Sequence, residues 1–213
     1  MILILSFSCS KKNDLVTSVT DQDGNVYNTV TIGTQVWMTE NLRVTRYNDG
    51  TDIPLVSESG NWVNLITPGY CWYNDSITYK NRYGAMYNWY AVNSGKLCPN
   101  GWHIPTLEEW TTLTAYLGGL PIAGGKLKES GNLHWNLPNT DATNVSKFTG
   151  LPGGYRNYNG GAFLSLNIGG TWWSSTSDTS SASWSIAVVY DSSHALLISN
   201  NNNYGISVRC VKD

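Results

Sequence analysis

The chain has 213 residues, a formal net charge of −2 from 13 Lys and Arg against 15 Asp and Glu, and an apolar share of 41%. That length suits one domain with an N-terminal arm. With no basic cluster beyond Lys11-Lys12, the charge argues against nucleic acid as a partner. Ten Trp and 13 Tyr mean that rings build much of the core, each needing a partner for its N–H or O–H.

In chain order, Met1-Ile2-Leu3-Ile4-Leu5-Ser6-Phe7-Ser8-Cys9 is an apolar run too short to span a bilayer. It lacks the basic start of a full signal peptide and reads as residues 1–9 of a truncated lipoprotein signal, with Cys9 as the lipidation site. Residues 10–20 follow as a polar, flexible tether. The expected location is the cell outer membrane, lipid-anchored and periplasmic or surface-exposed, with the anchor as the only membrane contact.

Asp21-Gln22-Asp23-Gly24-Asn25 reads as a turn, and residues 26–38 as a hairpin bending at Gly33-Thr34. Residues 50–82 carry no long periodic segment and read as loops and short strands. A short helix is expected over 83–92, with Met86, Trp89 and Tyr90 inward. A second begins at Thr106, where Thr106-Leu107-Glu108-Glu109 is a capping box. Leu107, Trp110, Leu113 and Leu117 then recur at helical spacing until Gly118-Gly119, and this stripe places Trp110 in the core. From residue 120 the pattern predicts only turns and strands, with a strand pair over 184–189 and 195–199 and a last strand over about 204–212.

If Cys9 is acylated, Cys71, Cys98 and Cys210 remain, an odd number. One disulfide and one free thiol is the simplest outcome, and spacing alone does not choose among the three pairs. His103, His134 and His194 are scattered singly, and no Cys-x-x-Cys occurs, so no metal site is expected. Asp21, Asp23 and Asn25 alternate like the start of a calcium loop, but Ile32 stands where its twelfth-position Glu belongs and Gly24 falls at position four. Calcium is therefore not expected, and no other cofactor is.

Several pieces resemble, in order, the Fibrobacter succinogenes major paralogous domain family, common in lipoproteins of Bacteroidetes and relatives. They are Asp23-Gly24-Asn25-Val26-Tyr27, the run Gln35 to Leu42, Tyr83-Gly84, Cys98-Pro99-Asn100-Gly101-Trp102-His103-Ile104-Pro105, Leu151 to Arg156, Trp172-Trp173-Ser174-Ser175-Thr176 and Ser207-Val208-Arg209-Cys210-Val211. The resemblance covers about residues 20–213. Ile104-Pro105-Thr106-Leu107-Glu108-Glu109-Trp110 is more loosely similar to a helix of the formylglycine-generating enzyme superfamily, which has the C-type-lectin-like fold. The resemblance implies an α+β, C-type-lectin-like domain over 21–213: two short helices, a twisted antiparallel sheet and long loops. In such a fold the terminal strand returns to the middle of the domain, which implies a Cys98–Cys210 disulfide and a buried, free Cys71.

Those enzymes work through neighbouring cysteines near the C-terminal end, where Cys210 stands alone, and Glu108-Glu109 is explained by capping and the helix dipole. No catalytic residue is assigned. The loop-rich C-terminal half instead gathers Tyr155, Arg156, Tyr158, Trp172, Trp173, His194 and Tyr204 as ligand-binding candidates; exposed rings among them would stack on sugar faces beside the amides of Asn200 to Asn203. Two readings follow. One is a monomeric, non-catalytic recognition module for a glycan or surface protein; the other is a structural envelope lipoprotein domain without a ligand of its own.

Overall fold

The computed structural model describes residues 17–213; the residues 1–9 signal and the Cys9 acylation site lie outside them. The fold is α+β, with mostly antiparallel sheet and a few short helices. Strand β1 (Ser18–Thr20) pairs with β2 (Val26–Ile32), which turns into β3 (Gln35–Met38) as the hairpin pattern predicts. Residues 18–20, expected in the tether, thus form a sheet edge.

After a short helix α1 (Ser59–Val63) come β4 (Tyr70–Cys71), α2 (Lys80–Tyr83) and β5 (Met86–Tyr87). Only one turn of the helix expected over 83–92 forms, as α3 (Trp89–Val92), and Tyr90 is half-buried. The reason is tertiary: Met86 and Tyr87 pair with Ser207 and Ile206, more than a hundred residues away. Asn88 then starts the helix by accepting the Ala91 N–H on its side chain.

Strand β6 (Trp102–His103) leads to α4 (Leu107–Tyr116), whose capping box forms as expected. Trp110 and Leu113 are fully buried beneath it. Helix α5 (Leu120–Leu127) was not expected, because Gly124 and Gly125 in its middle disfavour helix. Both are required by packing: a Cβ on Gly124 would lie 2.1 Å from the His194 carbonyl oxygen, and one on Gly125 2.5 Å from that of Asp141.

A two-stranded ribbon, β7 (Gly153–Arg156) and β8 (Phe163–Leu166), precedes β9 (Gly169–Ser177), β10 (Ala182–Val189) and β11 (Ala195–Asn201). The expected last strand is two short ones, β12 (Ile206–Ser207) and β13 (Val211–Lys212). They belong to different sheets. β12 lies between β9 and β5 in the order β11-β10-β9-β12-β5-β4, while β13 lies between β3 and β6 in the order β1-β2-β3-β13-β6. Val208, Arg209 and Cys210 make the buried crossing, and Cys210 bonds Cys98 across a separation of 112 residues. The terminal strand thus returns to the middle of the chain, and Cys71 is left free and buried.

Because β9 is central and covered on both faces, Trp172 and Trp173 are both buried, in different clusters. Trp172 joins Trp37, Trp110 and Phe148, with Trp37 and Trp110 centroids 4.7 Å apart. Trp173 joins Tyr27, Tyr87, Val208 and the disulfide. Indole N–H groups find partners as their burial requires: Trp110 donates to the Trp173 carbonyl, Trp173 to that of Tyr87, and Trp62 to that of Asn203.

Candidate functional site

The motif residues converge inside the molecule. Asn41 is buried; its amide donates to the Tyr83 carbonyl (2.9 Å) and the Ser207 hydroxyl, and its Oδ1 accepts from Trp172 Nε1 and from Arg209 Nη2, both at 2.8 Å. The Arg209 guanidinium also donates to the Phe148 carbonyl and lies 3.9 Å from the centre of the Phe148 ring. Burial lowers the Arg209 pKa to about 9. Gly84 completes the knot: with φ at +74°, it brings the backbone so close that a Cβ would lie 2.6 Å from the Leu42 carbonyl oxygen.

The seven residues expected to face a ligand separate into three groups. Trp172, Trp173 and Arg156 are fully buried and are withdrawn from the surface. Arg156 donates to the carbonyls of Gly161, Val56 and Ser57, lies 3.5 Å from an Asp75 carboxylate oxygen, and sits between the rings of Trp62 (4.7 Å) and Phe163 (4.8 Å). It satisfies backbone carbonyls and pins the 56–57 loop to the ribbon. His194 is exposed but stands at the end of β11 opposite Tyr204.

The third group does assemble. Tyr204 lies 5.5 Å from Tyr155 and 5.0 Å from Tyr158, ring centre to ring centre. Tyr158 is 40% exposed, whereas Tyr155 and Tyr204 are half-buried against the core. Burial, and then its two ring neighbours, push the Tyr204 hydroxyl pKa up. The amides expected beside them are largely committed: Asn202 is buried on Ser183, and Asn203 donates to the Val63 carbonyl.

The Asp21–Asn25 segment is a self-contained turn. One Asp21 oxygen accepts the backbone N–H of Asp23 and of Asn25, and the other accepts the Tyr27 hydroxyl. Asp23 is held by Arg46 and Thr45; burial opposes its ionisation, but these hydrogen bonds prevail and keep its pKa below the usual carboxylate value. Elsewhere a lysine does what a bound cation does. The buried Lys128 ammonium donates to the carbonyls of Thr140, Val189 and Ser192 at 2.8–3.0 Å, joining the 140 loop to the β10–β11 turn. The Cys71 thiol is pushed up to about 12 by burial, which leaves no thiolate for nucleophilic work.

Sequence reasoning missed one feature. A cleft of about 740 Å³ opens where Glu40, Thr78, Tyr79, Asn81, Arg82 and His134 meet. With Leu151, its residues come from four distant segments, so no local signal marks it.

No curated protein and no solved structure matches this chain. The Fibrobacter succinogenes major domain model matches residues 30–212, a span running from the first hairpin to the terminal strand and containing Asn41, Gly84, both bonded cysteines and Arg209. The chain belongs to that family.

Proposed function

We propose that this chain is a non-catalytic recognition module of C-type-lectin-like fold, which binds an extracellular glycan or protein through Tyr155, Tyr158 and Tyr204. The observation that carries this reading is the tyrosine group itself. Tyr204 lies within 5.5 Å of both other rings, and the group rests on a base fixed by the buried Arg156, whose own strand bridges to Gly205 beside Tyr204. Rings already held in place lose little freedom on binding, so their contact area is available for affinity. The apolar run before Cys9 and the polar residues after it support export, acylation at Cys9 and attachment to the outer membrane.

The alternative is a structural envelope domain without a ligand, favoured by the half-burial of Tyr155 and Tyr204. One experiment separates the two. The Cys9→Ser chain, and the same chain carrying Tyr158→Ala and Tyr204→Ala, are compared on a glycan array and in pull-downs from envelope fractions. Signals present only with intact tyrosines support recognition. Identical profiles for the two chains would rule it out. Fatty-acid probe labelling that is unchanged in Cys9→Ala would reject the anchor independently.

A further inference from the structure

The cleft between Glu40 and Arg82 has the composition of a ligand site, and none of the three tyrosines above lines it. One wall is aromatic. Rings follow one another from Tyr73 to Tyr79 (5.4 Å), from Tyr79 to Tyr83 (6.0 Å, planes 30° apart) and from Tyr83 to His134 (6.2 Å). Of these, Tyr79 and His134 line the opening and both are part-exposed. The rim is polar and carries both signs: Arg82 and Asn81 are exposed, and Glu40 is half-buried.

Glu40 and His134 are set in place by their neighbours. Glu40 accepts the backbone and amide N–H of Asn28 at 2.9 and 2.7 Å and the Thr39 hydroxyl at 2.9 Å, so its carboxylate is fixed. His134 directs Nδ1 to the Glu129 carboxylate at 2.9 Å, and its Nε2 has no hydrogen-bond partner among the described residues. Arg82 lies by the Tyr83 hydroxyl; burial raises the pKa of that hydroxyl and the guanidinium partly offsets the rise. The two sides cannot drift apart. Asn41, next to Glu40, donates to the Tyr83 carbonyl, and Gly84 packs its backbone onto that of Asn41 and Leu42.

A ligand for such a site needs a flat apolar face for Tyr79 and groups that both donate and accept. It should also bring no net charge, because the charges of Arg82 and Glu40 offset each other and Glu129 is engaged by His134. A phosphate or carboxylate would gain from Arg82 and meet Glu40. A cation would have the reverse difficulty. Hydroxyl groups on a ring meet every demand: each donates to Glu40, accepts from Arg82 or Asn81, can do either with His134 Nε2 according to its tautomer, and leaves C–H faces for the tyrosine. We propose that this cleft binds a neutral oligosaccharide, stacked on Tyr79 and hydrogen-bonded by Arg82, Glu40, Asn81 and His134.

The test uses the Cys9→Ser full chain and titration calorimetry with four neutral probes: cellohexaose, xylohexaose, mannohexaose and chitohexaose. Polygalacturonate serves as the charged comparison. At least one neutral hexasaccharide is expected to bind, with Tyr79→Ala and Arg82→Ala each weakening it about tenfold or more, the loss of one stacked ring or one charged hydrogen bond. Both variants should still melt cooperatively, Arg82→Ala at the wild-type temperature because that side chain is exposed, and Tyr79→Ala a few degrees lower for its two lost ring contacts. Tyr158→Ala should bind like wild type, which keeps the result independent of the tyrosine-group reading. Binding of none of the four, binding insensitive to Tyr79→Ala and Arg82→Ala, or binding of polygalacturonate alone would overturn the proposal. Loss of binding in Tyr158→Ala alone would move the saccharide to the other surface and overturn it equally.

Discussion

Asn41 uses its single side-chain amide to satisfy four groups from three distant stretches of chain: the Tyr83 carbonyl, the Ser207 hydroxyl, the Trp172 N–H and the Arg209 guanidinium. Buried donors and acceptors that lose their partner cost about 1–3 kcal/mol each, and more for a charged one. Asn41→Ala should therefore lower the unfolding free energy by about 4 kcal/mol or more. Urea denaturation measures this, and a loss under about 1 kcal/mol would show that water or a neighbour replaces the amide. The same residue shows what sequence can reveal. That Asn41, Tyr83-Gly84 and Arg209 stand in motifs was readable. That they meet was not, because Asn41 and Arg209 are 168 positions apart and no local pattern records the contact. Arg156 misled for a related reason: an arginine beside tyrosines in a loop-rich region suggests a ligand, yet its guanidinium is turned inward onto the carbonyls of Gly161 and of the distant Val56 and Ser57.

Helix α4 was legible because its signals are local: a capping box spans four residues, and its stripe repeats within the helix itself. Helix α5 was not, since the glycines that hide it answer to backbone from elsewhere in the chain. The start of α4 also carries a titratable clamp. His103 lies between two carboxylates, with Nε2 2.8 Å from Glu109 and Nδ1 2.6 Å from Asp213. Burial opposes its charge, but the hydrogen bonds to Asp213 and Glu109 prevail and raise its pKa above the ordinary value. A raised histidine stabilises fully below its unfolded pKa, near 6.5, and the contribution disappears as pH climbs through the folded value. Wild type should thus exceed His103→Gln in stability at pH 5.5, by about 0.5 kcal/mol given that the ring is 39% exposed, with the gap closing by pH 9. A gap that widens with pH in paired denaturation curves would contradict this assignment.

At the scale of the whole molecule, the last residues hold both sheets together, β12 in one and β13 in the other, with the Cys98–Cys210 bond beside the crossing. The chain-entropy estimate for closing so long a loop is about 4–5 kcal/mol, so reduction should lower the melting temperature by roughly 10 °C or more. The candidate cleft belongs to this scale as well, since Glu40, Arg82 and His134 become neighbours only once the chain is folded. The bond has a further, mechanical consequence. A chain drawn out by its two ends cannot pay out the 112-residue stretch between the linked cysteines. At about 3.5 Å per residue, roughly 390 Å of contour stays hidden from the load. In single-molecule extension, oxidised molecules should therefore lengthen by about that much less than reduced ones. Most of what lies behind the bond, from α4 through β11, would stay off the line of force as one closed loop while the first ninety-odd residues are stretched straight.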